Sequence, residues 1–265
     1  MRDLNVVVVN YNTANDLERF IKSFVEFPVE KYRMRMMVEN VDPTIEERVA
    51  VDRIVERFKG SLDVSVNHIG WNCGYAHAVN LGMGKLHESG RDDILLACNA
   101  DVEVCEAGSV DECCDALVEN HTWGVLGPRQ TDGHGSLTHA GITGVASRKK
   151  LVGWRSRGGF THVDENAPSV SGSIYFIKGR LWDELSDCFE QSPAGAFLLT
   201  PHYYEETFCS DHATAHGWKV VYYGPRTFIH RWHRASPVGG WAERQMKTSL
   251  ALYREACESL GIEHE

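Results

Sequence analysis

Apolar runs of strand length alternate with amphipathic stretches through the first half of the chain. "NVVVV", from Asn5 to Val9, is continuous and β-branched, as a strand covered on both faces must be. "NTANDLERFIKSFVEF" follows, with Leu17, Phe20, Ile21 and Phe24 at helical spacing. Asn12, Thr13 or Asn15 is placed to cap its start. "MRMMVEN", "DVSVNHI", "DDILLACNAD" and "WGVLGPRQ" read as further strands. "TIEERVAVDRIVERFK", "YAHAVNLGMGKLHESG" and "GSVDECCDALVENH" read as the helices between them, the second closed by Gly90. Such alternation predicts an α/β domain whose central sheet is mostly parallel, with right-handed crossovers and helices on its flanks.

Past Gln130 the pattern changes. Residues 130 to 170 are rich in Gly, Ser, Thr and basic side chains and predict short antiparallel strands and long loops. Helical period returns at "IKGRLWDELSD" and "EETFCSDHATAHG", a strand at "WKVVYYG", and an amphipathic C-terminal helix at "GWAERQMKTSLALYREACESLG" that is expected to pack on the sheet. With 265 residues and no composition break, a single domain over 1–265 is expected.

Charge and cysteine usage narrow the function classes. Lys and Arg number 27 against 37 Asp and Glu, a formal net charge of −10. A general nucleic-acid binder carries a basic face, so that class is disfavoured. No apolar run approaches the ~20 residues of a membrane span, and "LNVVVVNY" lacks a signal peptide's flanks. The eight cysteines contain no CxxC pair and read as free thiols of a reducing compartment, which predicts a cytoplasmic protein.

Ligands of open parallel sheets bind beyond the carboxyl ends of the strands. That rule selects Asn10-Tyr11-Asn12, Glu39-Asn40, Asn72 to Asn80 and Asn99-Ala100-Asp101, all polar residues after apolar strands. GxxxxGK[ST] and GxGxxG are absent, which disfavours P-loop nucleotidases and dinucleotide dehydrogenases. A strand-tip carboxylate such as Asp101, with Glu103 beyond it, suits Mg²⁺ or Mn²⁺; the alternative is an ordinary loop-start Asp. "FIHRWHRAS" gathers His230, Arg231, His233 and Arg234 into a local cationic patch suited to phosphate oxygens, or else a solvated basic loop. Glu205 and Glu206 precede a helical stretch, as a general base or as acids serving the helix dipole.

In order and spacing these segments resemble the family-2 glycosyltransferases with a GT-A fold, especially the rhamnosyltransferase-like branch. "VVVVNYN" resembles the family's first strand and nucleotide loop, and "MMVENVDPT" its "vVDNxSxD" strand end, with Glu39 where Asp is usual. "NCGYAHAVNLG" is similar to "NxGxaxaxNxG", and "LLACNADVEV" to "LLNxDxxv", the place of the DxD motif. "GPRQTDGHGSLTHAGI" and "VSGSIYFIKGRLWDEL" resemble the stretches that follow. "YYEETFCSDHATAHGWKVVYYGPRTFIHRWHRAS" resembles "YxEDxDlxxRxxxxGyxxxyxPxaxxxHxxxxS". The chain departs from the family at Asn99, where the first DxD acid would stand, at Phe208 in place of Asp, and at His212 in place of Arg.

The resemblance implies an inverting transfer of a sugar from a nucleoside diphosphate sugar to a hydroxyl of a glycan, protein or small molecule. It implies a nucleotide-binding part over about 1–125, an acceptor and catalytic part over about 126–236 and a C-terminal helix over about 239–261. Asp101 and His230 would hold Mn²⁺ or Mg²⁺, and Arg234 would touch phosphate. Asn10, Tyr11, Asn12, Glu39, Asn72, Asn80 and Asn99 would line the nucleotide sugar. Glu39 would accept from a ring N–H, favouring a UDP- or dTDP-type donor. Gly172 would let backbone approach the sugar. Glu206, before Glu205, would be the base. A catalytically silent sugar-nucleotide binding module is the rival reading. A nucleotidyltransferase is disfavoured because "NYNTAND" has neither Gly nor Lys, and a zinc hydrolase because no HExxH occurs.

Overall fold

The structure, a computed structural model, describes residues 1–143, 150–231 and 240–263. In β1 (Asp3–Asn10) the side chains alternate between two cores. Leu4, Val6 and Val8 face one helical layer, and Val7 and Val9 face the other. That two-sided burial is why the run carries no polar alternation. β1 pairs in parallel with β2 (Arg33–Val41) and β4 (Ile94–Asn99), and β2 with β3 (Val64–Ile69).

The expected crossovers are helices α1 (Ala14–Glu26), α2 (Ile45–Phe58) and α3 (Tyr75–Leu86). Two local details differ from expectation. α1 starts at Thr13, but the Thr13 hydroxyl donates to Asn10 Oδ1 at 2.9 Å instead of capping the helix. α3 stops at Leu86, because the His87 imidazole is drawn between Asp93 and Asp183, each at 2.9 Å. Gly90 then turns the chain with φ of 82°.

Beyond β4 the sheet becomes mixed. The strands that follow are β5 (Val102–Val104), β6 (Trp123–Thr131), β7 (Leu137–His139), β8 (Ile142–Thr143), β9 (Lys150–Leu151), β10 (Val163–Asp164), β11 (Ile174–Lys178) and β12 (Lys219–His230). The main sheet runs β10-β12-β6-β11-β4-β1-β2-β3, with β5 on β12 and β7 on β6. β11 enters antiparallel between β4 and β6. β12 runs parallel to β6, shifts register between Tyr223 and Thr227, and continues to pair antiparallel with β5. The expected central sheet is present, its parallel arrangement concentrated in β3-β2-β1-β4.

α1, α2 and α4 (Ser109–Glu119) cover one face through Phe20, Phe24, Val51, Ile54, Cys113 and Leu117. α3, α5 (Gly179–Cys188) and α6 (Glu205–Ala215) cover the other through Val79, Met83, Leu181, Trp182, Cys209 and Ala213. α7 (Gly240–Leu260), expected on the sheet, packs on α6 instead, and among the described residues the core it shares holds no strand residue. Tyr253 and Cys257 meet Phe208 and Leu198 in a separate small core, and the Tyr253 hydroxyl donates to Asp211 Oδ2 at 2.6 Å.

Candidate functional site

The carboxyl ends of β1, β2, β4 and β12, the amino end of β11 and the amino ends of α3 and α6 open on one edge of the sheet. At the β1–β2 side the polar residues tie two loops together. The Asn10 amide donates to Asn40 Oδ1 and to Glu47 Oε1, both at 2.9 Å. Asn12 donates to the Asp42 carbonyl at 3.3 Å and accepts from the Thr44 N–H at 3.4 Å. Asn12 and Asp42 both hold positive φ, at 54° and 46°, conformations that Asn and Asp tolerate best among residues with a side chain. Tyr11 stands exposed at this lip, and Asn72 accepts from the Gly74 N–H at 3.2 Å.

Two nucleotide residues are placed otherwise than expected. Glu39 lies under α3, fully buried, accepting from Asn67 Nδ2 at 2.6 Å and from Lys85 Nζ at 3.3 Å. Burial raises its carboxyl above the usual range, against the pull of Asn67 and Lys85. Both oxygens are occupied inside the protein, so Glu39 is not presented to a base. Asn80 is buried too. Its amide donates to the Phe197 carbonyl at 2.8 Å and its oxygen accepts from the Phe197 N–H at 3.3 Å, latching the 191–197 loop onto α3. Its side chain is thereby committed to the loop, at 1% exposure.

At the β4 end the chain brings Asp101 and His230 together, Oδ1 to Nε2 at 3.4 Å, with both side chains largely buried. The register of β12 on β5, which sets His230 opposite Val102, fixes this meeting. Arg231 does not join a phosphate-facing patch. Its guanidinium forks onto Glu103, and its N–H donates to the Asp101 carbonyl at 3.1 Å. His233 and Arg234 lie outside the described residues.

Behind the pair, Ser173 donates to Gln130 Oε1 at 2.7 Å, and the Ser173 carbonyl accepts from the Asn99 N–H at 2.9 Å. His139 is buried beside His230. Burial first, and then His230, holds its imidazole neutral, pushed down to about 3. Its Nδ1 accepts from the Gly141 N–H at 3.0 Å.

Glu205 and Glu206 open α6 immediately after Tyr203 and Tyr204, which carry φ of 64° and 72°. Bulky residues rarely adopt that region, and strain of this kind clusters at functional sites. Glu205 is turned inward. Thr200 donates to its Oε2 at 3.2 Å, and burial, then the Glu206 charge, raises its carboxyl above the ordinary range. Glu206 lies against Gly172, where an added Cβ would sit 3.3 Å from Glu206 Cβ and 3.6 Å from its carboxyl carbon. The absence of a side chain at Gly172 leaves room for the Glu206 side chain.

Tyr75, which sequence reading did not single out, links the two halves of the site. Its hydroxyl donates to the Gly172 carbonyl at 2.5 Å. Burial raises its phenol strongly, and the charges of Glu205, Glu206 and Asp101 all add to the shift. Tyr75 opens α3 within "NCGYAHAVNLG", and a tyrosine at a helix start gave no signal distinct from a core aromatic. Gln130, Ser173 and His139 were likewise hidden, since their role depends on the β6–β7 and β6–β11 pairings.

No protein-family model matches the chain, and no curated protein matches its sequence. Its fold matches solved structures. A mannosyltransferase from Pyrobaculum calidifontis, PcManGT in complex with GDP-Man and Mn²⁺, superposes with a TM-score of 0.65 at 15% identity, over 98% of this chain and 65% of that one. GalNAc-T7 with UDP, GalNAc and Mn²⁺ gives 0.68 at 16% identity, over 95% and 48%. S. aureus TarS 1-349 with UDP-GlcNAc gives 0.62 at 14% identity, over 94% and 66%. The chain thus spans about 65% and 48% of the length of the first two. Among the described residues no helix is long and apolar enough to cross a membrane. The chain has the mixed α/β fold of the GT-A glycosyltransferases, a central sheet flanked by helices with a further helix at the C-terminus.

Proposed function

We propose that the protein is an inverting glycosyltransferase that moves a sugar from a nucleoside diphosphate sugar to an acceptor hydroxyl. The observation that carries this reading is the approach of Asp101 to His230 at the edge where Glu206 and Gly172 also stand. The fold neighbours support it, since those proteins hold GDP-Man, UDP or UDP-GlcNAc. The motif order favours the rhamnosyltransferase-like branch within that fold.

Departure of a nucleoside diphosphate leaves negative charge on its oxygens. Asp101 Oδ1 and His230 Nε2 offer one hard oxygen and one imidazole nitrogen, a donor set that suits Mn²⁺ and admits Mg²⁺. When bound, that ion would supply charge neutralisation to the diphosphate. Tyr11, Asn12 and Asn72, at the open lip, are the residues left to face the base and ribose, with Asn10 and Asn40 setting their loops. Asn99 ends β4 and Asp101 follows it, towards the diphosphate.

Glu206 is the general base and takes the proton of the acceptor hydroxyl as that oxygen attacks the anomeric carbon. Glu205 does not compete for this role because it is turned inward onto Thr200. Its raised proton affinity also lessens the negative charge beside Glu206. Tyr75 holds the Gly172 carbonyl and so the wall against which Glu206 rests.

The test is a panel of nucleoside diphosphate sugars with Mn²⁺ and a set of simple glycoside and alcohol acceptors. Acceptor-dependent release of free nucleoside diphosphate is expected for at least one pair. Donor binding with no release for any acceptor would instead support the silent binding module.

A further inference from the structure

A group of side chains far from the strand edge forms a second constellation. Cys188 ends α5, and His212 and His216 lie four residues apart at the far end of α6. Residues at that spacing share one helix face. One donor atom from each of the three lies within 4.8 Å of the other two. Cys188 Sγ is 3.8 Å from His216 Nε2, and the two imidazole centroids are 4.9 Å apart.

Two further observations set this cluster apart from a chance surface grouping. His212 is 1% exposed, and neither of its ring nitrogens has a hydrogen-bond partner among the described residues. A buried, unsatisfied imidazole is costly unless it serves a ligand. His216 is oriented from behind. Its Nδ1 lies 2.7 Å from Glu184 Oε1, while Glu184 Oε2 accepts from the Trp218 indole N–H at 3.0 Å. A carboxylate that accepts a hydrogen bond from Nδ1–H keeps the proton on that nitrogen and leaves Nε2 with a lone pair, which faces the thiol. This carboxylate–histidine arrangement is the one that fixes tautomer and ring angle at transition-metal sites.

We propose that Cys188, His212 and His216 form a binding site for a borderline-soft transition metal ion, Zn²⁺ first. Sulfur and imidazole donors select such an ion over Mn²⁺ or Mg²⁺. Zinc with a thiolate and two imidazoles has ligand atoms roughly 3.3–3.6 Å apart, as follows from metal–ligand distances of about 2.0–2.3 Å. The cluster must close by about an ångström. Cys188 is exposed and can swing to do so, and His216 can shift together with its partly exposed partner Glu184, with His212 as the fixed buried ligand. The thiol gives up its proton to solvent as the metal binds, and water takes the fourth position. The ion would pin the end of α5 to the end of α6. His216 lies ten residues along from Glu206, so the site is about 15 Å from the base at 1.5 Å per residue. It is separate from Asp101 and His230.

Co²⁺ added to the metal-free full chain is the direct probe. One equivalent should produce a thiolate-to-cobalt charge-transfer band in the near ultraviolet and the intense visible bands of a tetrahedral ion. Zn²⁺ should displace it and raise the thermal midpoint. Cys188→Ser should abolish the charge-transfer band, and His216→Ala should weaken Co²⁺ affinity at least tenfold. Both positions are exposed, so these variants remain informative even if a His212 variant fails to fold. Asp101→Ala should leave the signal intact. The proposal is overturned if no charge-transfer band develops, if the band survives Cys188→Ser, or if Asp101→Ala removes it.

Discussion

Asp101 Oδ1 lies 3.4 Å from His230 Nε2, although the two residues come from distant parts of the chain. β12 makes the connection. It shifts register on β6 between Tyr223 and Thr227, stays paired with β6 through Ile229, and on its other side carries Phe228, Ile229 and His230 against β5. Asp101 immediately precedes the strand that receives them. A carboxylate oxygen and an imidazole nitrogen are thereby fixed by backbone pairing, at the end of the sheet where the donor diphosphate is placed.

The base assignment predicts a split between binding and turnover. Glu206→Gln keeps shape and removes the proton acceptor. Turnover should fall by about 10²–10⁴, the usual range for loss of a positioned base. Donor affinity, followed by calorimetry, should stay within a factor of two or so of the parent. Near-parent turnover in Glu206→Gln would remove Glu206 from the reaction.

Gly172 makes a steric prediction. An added methyl meets Glu206 Cβ at 3.3 Å, tight enough that the root of the side chain must yield by a few tenths of an ångström and carry its carboxylate with it. Displacements of 1 Å cost around 10²-fold in rate, so Gly172→Ala should lose roughly tenfold in kcat. Because the clash is with one side chain, the thermal midpoint should move little. A Gly172→Ala enzyme at full rate would show that Glu206 needs no room there.

Glu205 predicts a pH-dependent gain in stability. Its folded carboxyl is raised above the ordinary 4.5 by burial and then by Glu206. A raised pKa contributes stability that is whole below the unfolded value and is lost as pH rises through the folded one. Glu205→Gln should therefore match the parent near pH 4.5 and melt a few degrees higher at pH 8, about 2–4 °C per kcal/mol for a chain of this size. Calorimetric melts at the two pH values check it, and a variant less stable at pH 8 would contradict it.

His87 predicts a slope of the same sign from a different cause. Burial opposes its charge, but Asp93 and Asp183 on either side outweigh burial and raise its proton affinity. The stability it confers is complete below about 6.5 and declines as pH climbs through the raised folded value. Urea unfolding should show parent stability falling over that window by at most about 1.4 kcal/mol per pH unit. The same decline should be absent in His87→Gln. An equal slope in both proteins would refute the clamp.

Much of the first half was legible because its physics is local. A short, β-branched, continuous run such as Val6–Val9 fits a strand buried on both faces, and the spacing of Leu17, Phe20, Ile21 and Phe24 fits one helix face. The strand-end rule then picked out Asn10, Asn12, Asn99 and Asp101. What escaped depends on long-range pairing. "IYFIK" of β11 is apolar on both faces whichever way it runs, so its antiparallel insertion leaves no mark in the sequence. "WKVVYYG" read as a complete strand because Gly224 and Pro225 look like its end, whereas β12 passes through them to His230. The same limit applies to Glu39 and Asn80. Both follow the expected spacing, and only the tertiary packing turns Glu39 onto Asn67 and Lys85 and Asn80 onto Phe197. Tyr75 shows the converse, an aromatic at a helix start whose hydroxyl holds Gly172 in place.

Donor binding with and without metal tests the central claim most directly. Calorimetric titration of the parent with a panel of nucleoside diphosphate sugars should find at least one that binds in the presence of Mn²⁺. Asp101→Asn should weaken that binding and cost turnover on the order of 10²–10³, the scale of losing one electrostatic stabiliser of the departing charge. Chelation should mimic the substitution in the parent and add nothing to it in the variant. If no member of the panel binds, or if binding is indifferent to both Mn²⁺ and Asp101→Asn, the strand-edge pair is not a donor site and the account fails.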